Sequence, residues 1–89
     1  MNSNGSWLVN VDPNVYKTLA RFPHKDAERI VIAFNELAVD PYGGDVIKLG
    51  GMERDWRRRV GSYRIFYEIY ADLKRIEVYA VERRGSKTY

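Results

Sequence analysis

The sequence predicts an α+β domain with the element order β-α-α-β-β-β, in which two N-terminal helices pack on one face of a mostly antiparallel, four-stranded sheet. Apolar residues recur at helical spacing in the first half of the chain, and β-branched and aromatic residues dominate the second half. A Gly-Ser pair between two alternating runs also marks a β-hairpin. With 89 residues, the chain is expected to form one domain, residues 1–89, with a small core.

The first half of the chain is predicted to contain a strand followed by two helices. Trp7 to Val11 is a short apolar run that predicts the strand. Asp12-Pro13 indicates a helix start, because the carboxylate accepts hydrogen bonds from free N–H groups and proline is tolerated at the first helical position. This helix should stop near Phe22, since the proline that follows disfavours helical backbone in the residue before it. A second helix, roughly Lys25 to Val39, carries an apolar stripe of Ala27, Ile30, Val31, Phe34, Leu37 and Ala38.

The second half is predicted to consist of strands. Val46 to Leu49 is a short strand, the two arms of the hairpin flank Gly61-Ser62, and Arg75 to Glu82 is the last strand after a turn at Ala71 to Lys74. Successive side chains of a strand point to opposite faces of the sheet. One face of the hairpin then resembles a core and carries Trp56, Val60, Tyr63, Ile65, Tyr67 and Ile69.

The other face of the hairpin is predicted to be rich in arginine. A two-residue turn would place Arg59 opposite Arg64 and Arg57 opposite Phe66. Like charges directly across a strand pair destabilise a sheet by a few tenths of a kcal/mol or more, so an anionic ligand would explain this pairing. An antiparallel sheet can leave its second face in water.

The last strand is expected to extend this face. If the last turn keeps register, Phe66 lies opposite Tyr79 and Arg64 opposite Val81. Arg83 then joins the same open face. The pattern therefore predicts four arginines on one face of the sheet, beside the rings of Phe66 and Tyr79. Two of these arginines, Arg57 and Arg59, lie on the first arm of the hairpin.

Composition limits the chemistry that the chain can perform. The net charge is +3, and residues 48–89 contain eleven basic and six acidic side chains. The absence of cysteine excludes a thiolate nucleophile or a thiolate metal site, and His24 is the only histidine, so a multi-histidine metal site is excluded as well. We expect no metal and no cofactor. No apolar run is long enough for a membrane span or a signal peptide, which favours a cytoplasmic location.

An arginine face with interleaved aromatics suits single-stranded RNA. Guanidinium groups bind phosphate in two-pronged geometry, and exposed rings give bases a stacking platform worth about 1 to 3 kcal/mol each. Such a face could cleave RNA through its own 2′-hydroxyl, with fixed donors on the phosphoryl oxygens and a proton acceptor. The alternative is that the rings only support the sheet and the arginines contact carboxylates of a partner protein.

The residues resemble the RelE/ParE superfamily of toxins from bacterial toxin–antitoxin systems. The resemblance covers the whole chain in element order and is most specific in Lys48-Leu-Gly-Gly-Met52, Trp56-Arg-Arg-Arg-Val60 and Tyr63-Arg-Ile-Phe-Tyr67, followed by a basic tail ending in Tyr89. It implies a small fold like that of the microbial ribonucleases. In the RelE branch it also implies metal-independent cleavage of mRNA in the A site of the 70S ribosome. A cognate antitoxin is the implied partner, in a heterodimer or heterotetramer.

The resemblance also implies roles for individual residues. Arg57 and Arg59 resemble two basic residues of the strand before the turn, and Arg64 resembles the arginine that stabilises the phosphoryl transition state. The general base of RelE is a lysine at the position of Arg59, and an arginine is a poor base. YoeB relatives use a carboxylate instead, and Asp45 resembles it in position. The alternative for Asp45 is a solvated loop acid. The resemblance further implies Arg83, or its neighbour Arg84, as the general acid and Tyr89 as the residue that stacks on the base. Further RNA-binding candidates are Lys48, in the stretch that carries the resemblance, and the two aromatic residues of the strand pattern, Phe66 and Tyr79.

Two other functions are compatible with the same resemblance. A ParE-type toxin would bind and poison DNA gyrase and would lack the catalytic set. A catalytically inactive homologue would survive only as an antitoxin-binding module. Of the three, we expect the RelE-type activity, that of a ribosome-dependent mRNA endonuclease that inhibits translation.

Overall fold

The computed structural model describes residues 7–50 and 54–83. Within this part of the chain the structure contains two helices, five strands and one short 3-10 turn. In chain order they are β1 (Leu8–Val11), α1 (Pro13–Leu19), α2 (His24–Val39), β2 (Val46–Lys48), β3 (Asp55–Val60), β4 (Tyr63–Tyr70), the 3-10 turn (Ala71–Leu73) and β5 (Arg75–Arg83).

The strands form one mixed sheet in the order β1-β5-β4-β3-β2. Strands β2 to β5 pair antiparallel with one another, and β1 pairs parallel with β5. The two helices follow β1 in the chain and connect it to β2 on the far edge of the sheet. The α+β prediction is confirmed, but the described sheet has five strands rather than four. The order β-α-α-β-β-β undercounts them, because both hairpin arms and the three-residue edge strand β2 each form a strand of their own.

Both helices begin where the sequence predicts. The side chain of Asp12 accepts a hydrogen bond from the Asn14 backbone N–H at 2.8 Å, and Pro13 occupies the first turn of α1. That helix ends at Leu19, three residues before the predicted end at Phe22, whereas α2 extends to Val39 as predicted.

The core lies between the two helices and one face of the sheet. Alternate residues of β4 are buried there, which confirms the inward face predicted for the hairpin, although Trp56 and Val60 are only partly buried. Among the described residues the core consists of Val15, Leu19, Ile30, Ala33, Phe34, Leu37, Tyr63, Ile65, Tyr67, Ile69, Ile76, Val78 and Val81. No described helix covers the other face of the sheet, which we call the open face.

A β-bulge changes the register between β4 and β5. Phe66 pairs with Ala80 and the next residue, Tyr67, pairs with Val78, so Tyr79 is the extra residue. The predictions that Phe66 lies opposite Tyr79 and Arg64 opposite Val81 are therefore wrong. After the bulge the alternation is reversed, and Val81 rather than Ala80 is buried in the core.

Tyr67 provides a test of the core at alkaline pH. Its hydroxyl donates a hydrogen bond to the Pro41 carbonyl at 2.9 Å, and burial raises the pKa of this phenol above its ordinary value of 10.0. Tyr67→Phe leaves the carbonyl without this donor, and we expect it to cost about 1 to 3 kcal/mol of unfolding free energy near neutral pH.

The unfolding free energy lost on Tyr67→Phe should become smaller as the pH rises. A phenol whose pKa is raised in the folded state contributes stability below the unfolded value of 10.0 and loses it above that value, because the unfolded chain ionises first. Urea midpoints at about pH 8 and about pH 11 should thus converge for wild type and Tyr67→Phe. Tyr16→Phe, at an exposed tyrosine, is the control. If the difference in urea midpoint between wild type and Tyr67→Phe stays constant with pH, Tyr67 does not have the raised pKa that its burial implies.

Candidate nucleic-acid interface

Three arginines meet on the open face near the hairpin turn. Arg59 pairs directly with Arg64, and Arg57 pairs with Phe66, as the two-residue turn predicts. Arg57 and Arg59 are two residues apart on β3 and point to the same side. We call Arg57, Arg59 and Arg64 the arginine cluster. Directly paired side chains have Cβ atoms only about 4.5 to 5.5 Å apart, so one phosphate can contact more than one of these guanidinium groups.

Asp45 brings a carboxylate to this cluster. Arg59 Nε donates to Asp45 Oδ2 at 2.8 Å, and the Arg59 backbone N–H donates to the Asp45 carbonyl at 2.9 Å. The loop before β2 is therefore held against β3 through both backbone and side chain. Both side chains are about half exposed, with 52% and 56% of their surface accessible, so solvent and dissolved ligands can reach the pair.

Two aromatic rings lie next to the arginine cluster. The rings of Phe66 and Tyr79 have centroids 6.3 Å apart and are tilted by 37°, and Tyr79 is 42% exposed. Partial burial raises the pKa of the Tyr79 phenol, and the carboxylates of Asp55 and Glu68 raise it further. These two acids also pair with each other across β3 and β4. The open face is thus rich in arginine near the turn, whereas its other end carries both carboxylates and the guanidinium groups of Arg54 and Arg75 over the Tyr70 ring.

The sequence predicted Arg83 on the same face as the other three arginines, but in the structure it does not join the arginine cluster. Because of the bulge it pairs with Tyr63, whose side chain belongs to the core, and its guanidinium carbon lies 5.9 Å from the centre of that ring. Glu82, rather than the predicted Val81, lies opposite Arg64. A strand pattern of alternating residues gives no signal for this exchange, because Tyr79, Ala80 and Val81 are all compatible with either register.

The other candidate residues are placed as follows. Lys48 pairs with Trp56, which packs against the core, so Lys48 lies on the helix-covered side of the edge strand rather than in the arginine cluster. Arg84 and Tyr89 lie outside the described residues. His24 is exposed and its imidazole lies 3.0 Å from the carboxylate of Glu28 one helical turn away.

The described residues include neither a metal-binding cluster nor a membrane-spanning helix. Residues 7–50 and 54–83 contain no group of three or more His, Cys, Asp or Glu side chains arranged to hold a metal ion. In the same ranges, neither helix has the length and apolar character needed to cross a membrane.

Sequence comparison identifies the family. The family model for the ParE toxin of type II toxin–antitoxin systems, parDE, matches residues 14–87. The chain belongs to this family. It is a toxin of the RelE/ParE superfamily, as the residues of the hairpin indicate. No curated protein sequence matches the chain.

Solved structures of RelE toxins share the fold of this ParE-family toxin. A chain of the RelE-RelB complex from Pyrococcus horikoshii OT3 is 28% identical, with a TM-score of 0.80 over 92% of this chain and 99% of that chain. The isolated E. coli RelE toxin is 17% identical, with a TM-score of 0.76 over 92% and 88%. A chain of the RelBE2 complex from Mycobacterium tuberculosis is 22% identical, with a TM-score of 0.74 over 88% and 98%. The last two similarities concern the fold alone.

Proposed function

We propose that this toxin is a metal-independent endoribonuclease that cleaves mRNA in the A site of the ribosome and thereby inhibits translation. The observation that supports this proposal most is the arginine cluster on the open face, with Phe66 and Tyr79 beside it and Asp45 bound to Arg59. This arrangement combines phosphate-binding donors, a stacking surface and a proton acceptor, which are the groups that 2′-hydroxyl attack requires.

The arginines would act on the scissile phosphate. Arg57 and Arg64 would bind its non-bridging oxygens, and their donors would stabilise the charge that develops there as the 2′-oxygen attacks in line. The new bond closes a 2′,3′-cyclic phosphate and the bond to the 5′-oxygen of the next nucleotide breaks, with water protonating the departing oxygen. An unstacked base would rest on Phe66 and Tyr79, since single-stranded RNA can present its bases to aromatic side chains. Arg59 contributes a third cation and holds Asp45 in place.

Asp45 is the proposed general base, because the arginines around it are too basic to accept a proton. Asp45→Asn keeps the size of the side chain but removes its proton-accepting charge. We expect cleavage on programmed ribosomes to slow by about 10²- to 10⁴-fold. Binding of a short single-stranded RNA should stay the same or tighten, because a carboxylate next to the phosphate site has been neutralised.

The control for this prediction is Asp72→Asn, a carboxylate in the 3-10 turn beyond β4 and away from the arginine cluster. It should leave both cleavage and RNA binding unchanged. Full cleavage by the Asp45→Asn toxin would remove Asp45 from the mechanism.

The experiment that tests the function itself is a map of mRNA cleavage on programmed ribosomes, compared with the same mRNA free in solution. The proposal expects cuts in the A-site codon and little or no cutting of free RNA. Cutting of free RNA alone would indicate an ordinary ribonuclease instead.

A second candidate function is gyrase inhibition, which the match to the ParE toxin model favours. Glu82 stands opposite Arg64, where Val81 was predicted, and its carboxylate also weakens the phosphate site. A DNA supercoiling assay with the purified toxin separates the two candidates, since only a ParE-type toxin should inhibit gyrase. Inactivity in both assays, with no growth arrest on expression, would indicate a homologue that only binds its antitoxin.

A cognate antitoxin is the proposed protein partner. Several of the similar structures are complexes of RelE with RelB. The arginine cluster gives an acidic antitoxin segment a surface of complementary charge. We propose the cytoplasm as the location, where mRNA, ribosomes and antitoxin are all available.

A further inference from the structure

Arg58 is a charged residue on the wrong side of β3 for binding RNA. It lies between Arg57 and Arg59, but its side chain points to the helix-covered face and is only 14% exposed. Its Nη2 donates to a carboxylate oxygen of Glu36 on α2, while its Nε is buried without a hydrogen-bond partner. Burial of a guanidinium carries a desolvation penalty, so stability of the core alone does not explain an arginine at this position.

The guanidinium of Arg58 packs against the loop that carries Asp45. Gly44 has a φ of +85°, and a Cβ on it would lie 3.2 Å from Arg58 Cζ and Nε. The Gly44 carbonyl accepts a hydrogen bond from the Val46 N–H at 3.0 Å, and Val46 pairs with Arg58 across β2 and β3. The peptide just before Asp45 is therefore held between its own strand and the flat face of the guanidinium.

These contacts place Arg58 and Asp45 on opposite sides of one short segment. Arg58 lies against Gly44 on the covered face, and the next residue, Asp45, reaches Arg59 on the open face at 2.8 Å. Because Gly44 has no side chain and lies in left-handed backbone, it is free to take other conformations unless a neighbour restrains it. Glu36 in turn ties the guanidinium to α2.

We propose that Arg58 is a positioning residue for Asp45: its guanidinium restrains Gly44 and so holds the Asp45 carboxylate against Arg59 in the arginine cluster. The proposal rests on the proposed function only for the role of Asp45 as base. The restraint itself is a property of the protein without RNA, and it can be measured without any cleavage assay.

The test is the NMR signal of the Arg59 side-chain Nε–H group in the free toxin. Asp45→Asn, which breaks the charged pair, identifies this signal and gives the shift that accompanies loss of the partner. Arg58→Met should move the Arg59 signal toward the Asp45→Asn position, because Asp45 is no longer held in place. Arg58→Lys keeps the charge next to Glu36 but not the flat contact with Gly44, so it should move the signal in the same direction by a smaller amount.

The matched control is Arg75→Met. Arg75 also has a buried Nε and a carboxylate neighbour, but it pairs with Tyr70 at the other end of the sheet, so the Arg59 signal should not move. An unchanged Arg59 signal in folded Arg58→Met would overturn the proposal. If Arg58→Met does not fold, Arg58→Lys decides, and an unchanged signal there overturns the proposal as well.

Cleavage measurements then connect the restraint to the proposed function. Arg58→Met should slow cleavage on the ribosome by about the same factor as Asp45→Asn, about 10²-fold or more, and the double variant should be no slower than Asp45→Asn alone. Additive losses would mean that Arg58 acts independently of Asp45 and would overturn the proposal. A shifted Arg59 signal in a toxin that cleaves no mRNA would reject the proposed function while the restraint stands.

Discussion

Replacement of Arg64 by alanine is expected to slow mRNA cleavage on programmed ribosomes by about 10²- to 10³-fold, the usual effect of removing one fixed donor from a transition-state oxyanion. Arg64 lies directly opposite Arg59 and next to the phosphate position that the arginine cluster defines. A single-turnover measurement of A-site cleavage isolates the chemical step. Arg64→Lys should recover only part of the rate, because an ammonium cannot make two parallel bonds to a phosphate.

Two further arginines serve as comparisons. Arg21→Ala removes an exposed arginine beyond the end of α1 and should leave the rate unchanged, which shows that net charge is not responsible. Arg83→Ala should cost less than Arg64→Ala, because Arg83 stands over Tyr63 rather than in the arginine cluster. Undiminished cleavage by the Arg64→Ala toxin would be incompatible with the proposed function, and a larger loss for Arg83→Ala would show that Arg83 supplies the dominant donor.

The largest expected effect on stability is that of Ile30→Ala. Ile30 is fully buried between α2 and the sheet, with 0% of its surface exposed. Removal of its side chain loses apolar burial and leaves a cavity, which typically costs about 2 to 5 kcal/mol. In a domain of this size each kcal/mol lowers the melting temperature by roughly 4 to 8 °C, and calorimetry or thermal denaturation would measure the shift.

Ile32→Ala is the control for this prediction. It makes the same chemical change two residues further along the same helix, where the side chain is 55% exposed. We expect its unfolding free energy to change by no more than about 0.5 kcal/mol. Equal losses in the two variants would mean that α2 does not bury the face that the structure assigns to it.

The candidate site could be predicted in part. Arg57, Arg59, Arg64 and Phe66 were placed together from local pattern, because a two-residue turn determines every pair along a hairpin. The proximity of Asp45 to Arg59 was not visible in the residues, since it depends on how the loop before β2 meets a strand 14 positions later. Arg58 illustrates the same limit, because its contacts with Glu36 and Gly44 exist only in the folded chain.

By itself, the sequence determined the helices, the hairpin and its register, because caps, helical spacing, alternation and a Gly-Ser turn are local properties that act over a few residues. Only the tertiary structure decided which arginines share the open face. The bulge at Tyr79 puts Glu82 rather than Val81 opposite Arg64, and it pairs Arg83 with Tyr63 on the covered face. One extra residue in a strand reverses every side chain beyond it, and its place depends on how β5 packs on the core rather than on any residue of β5 alone.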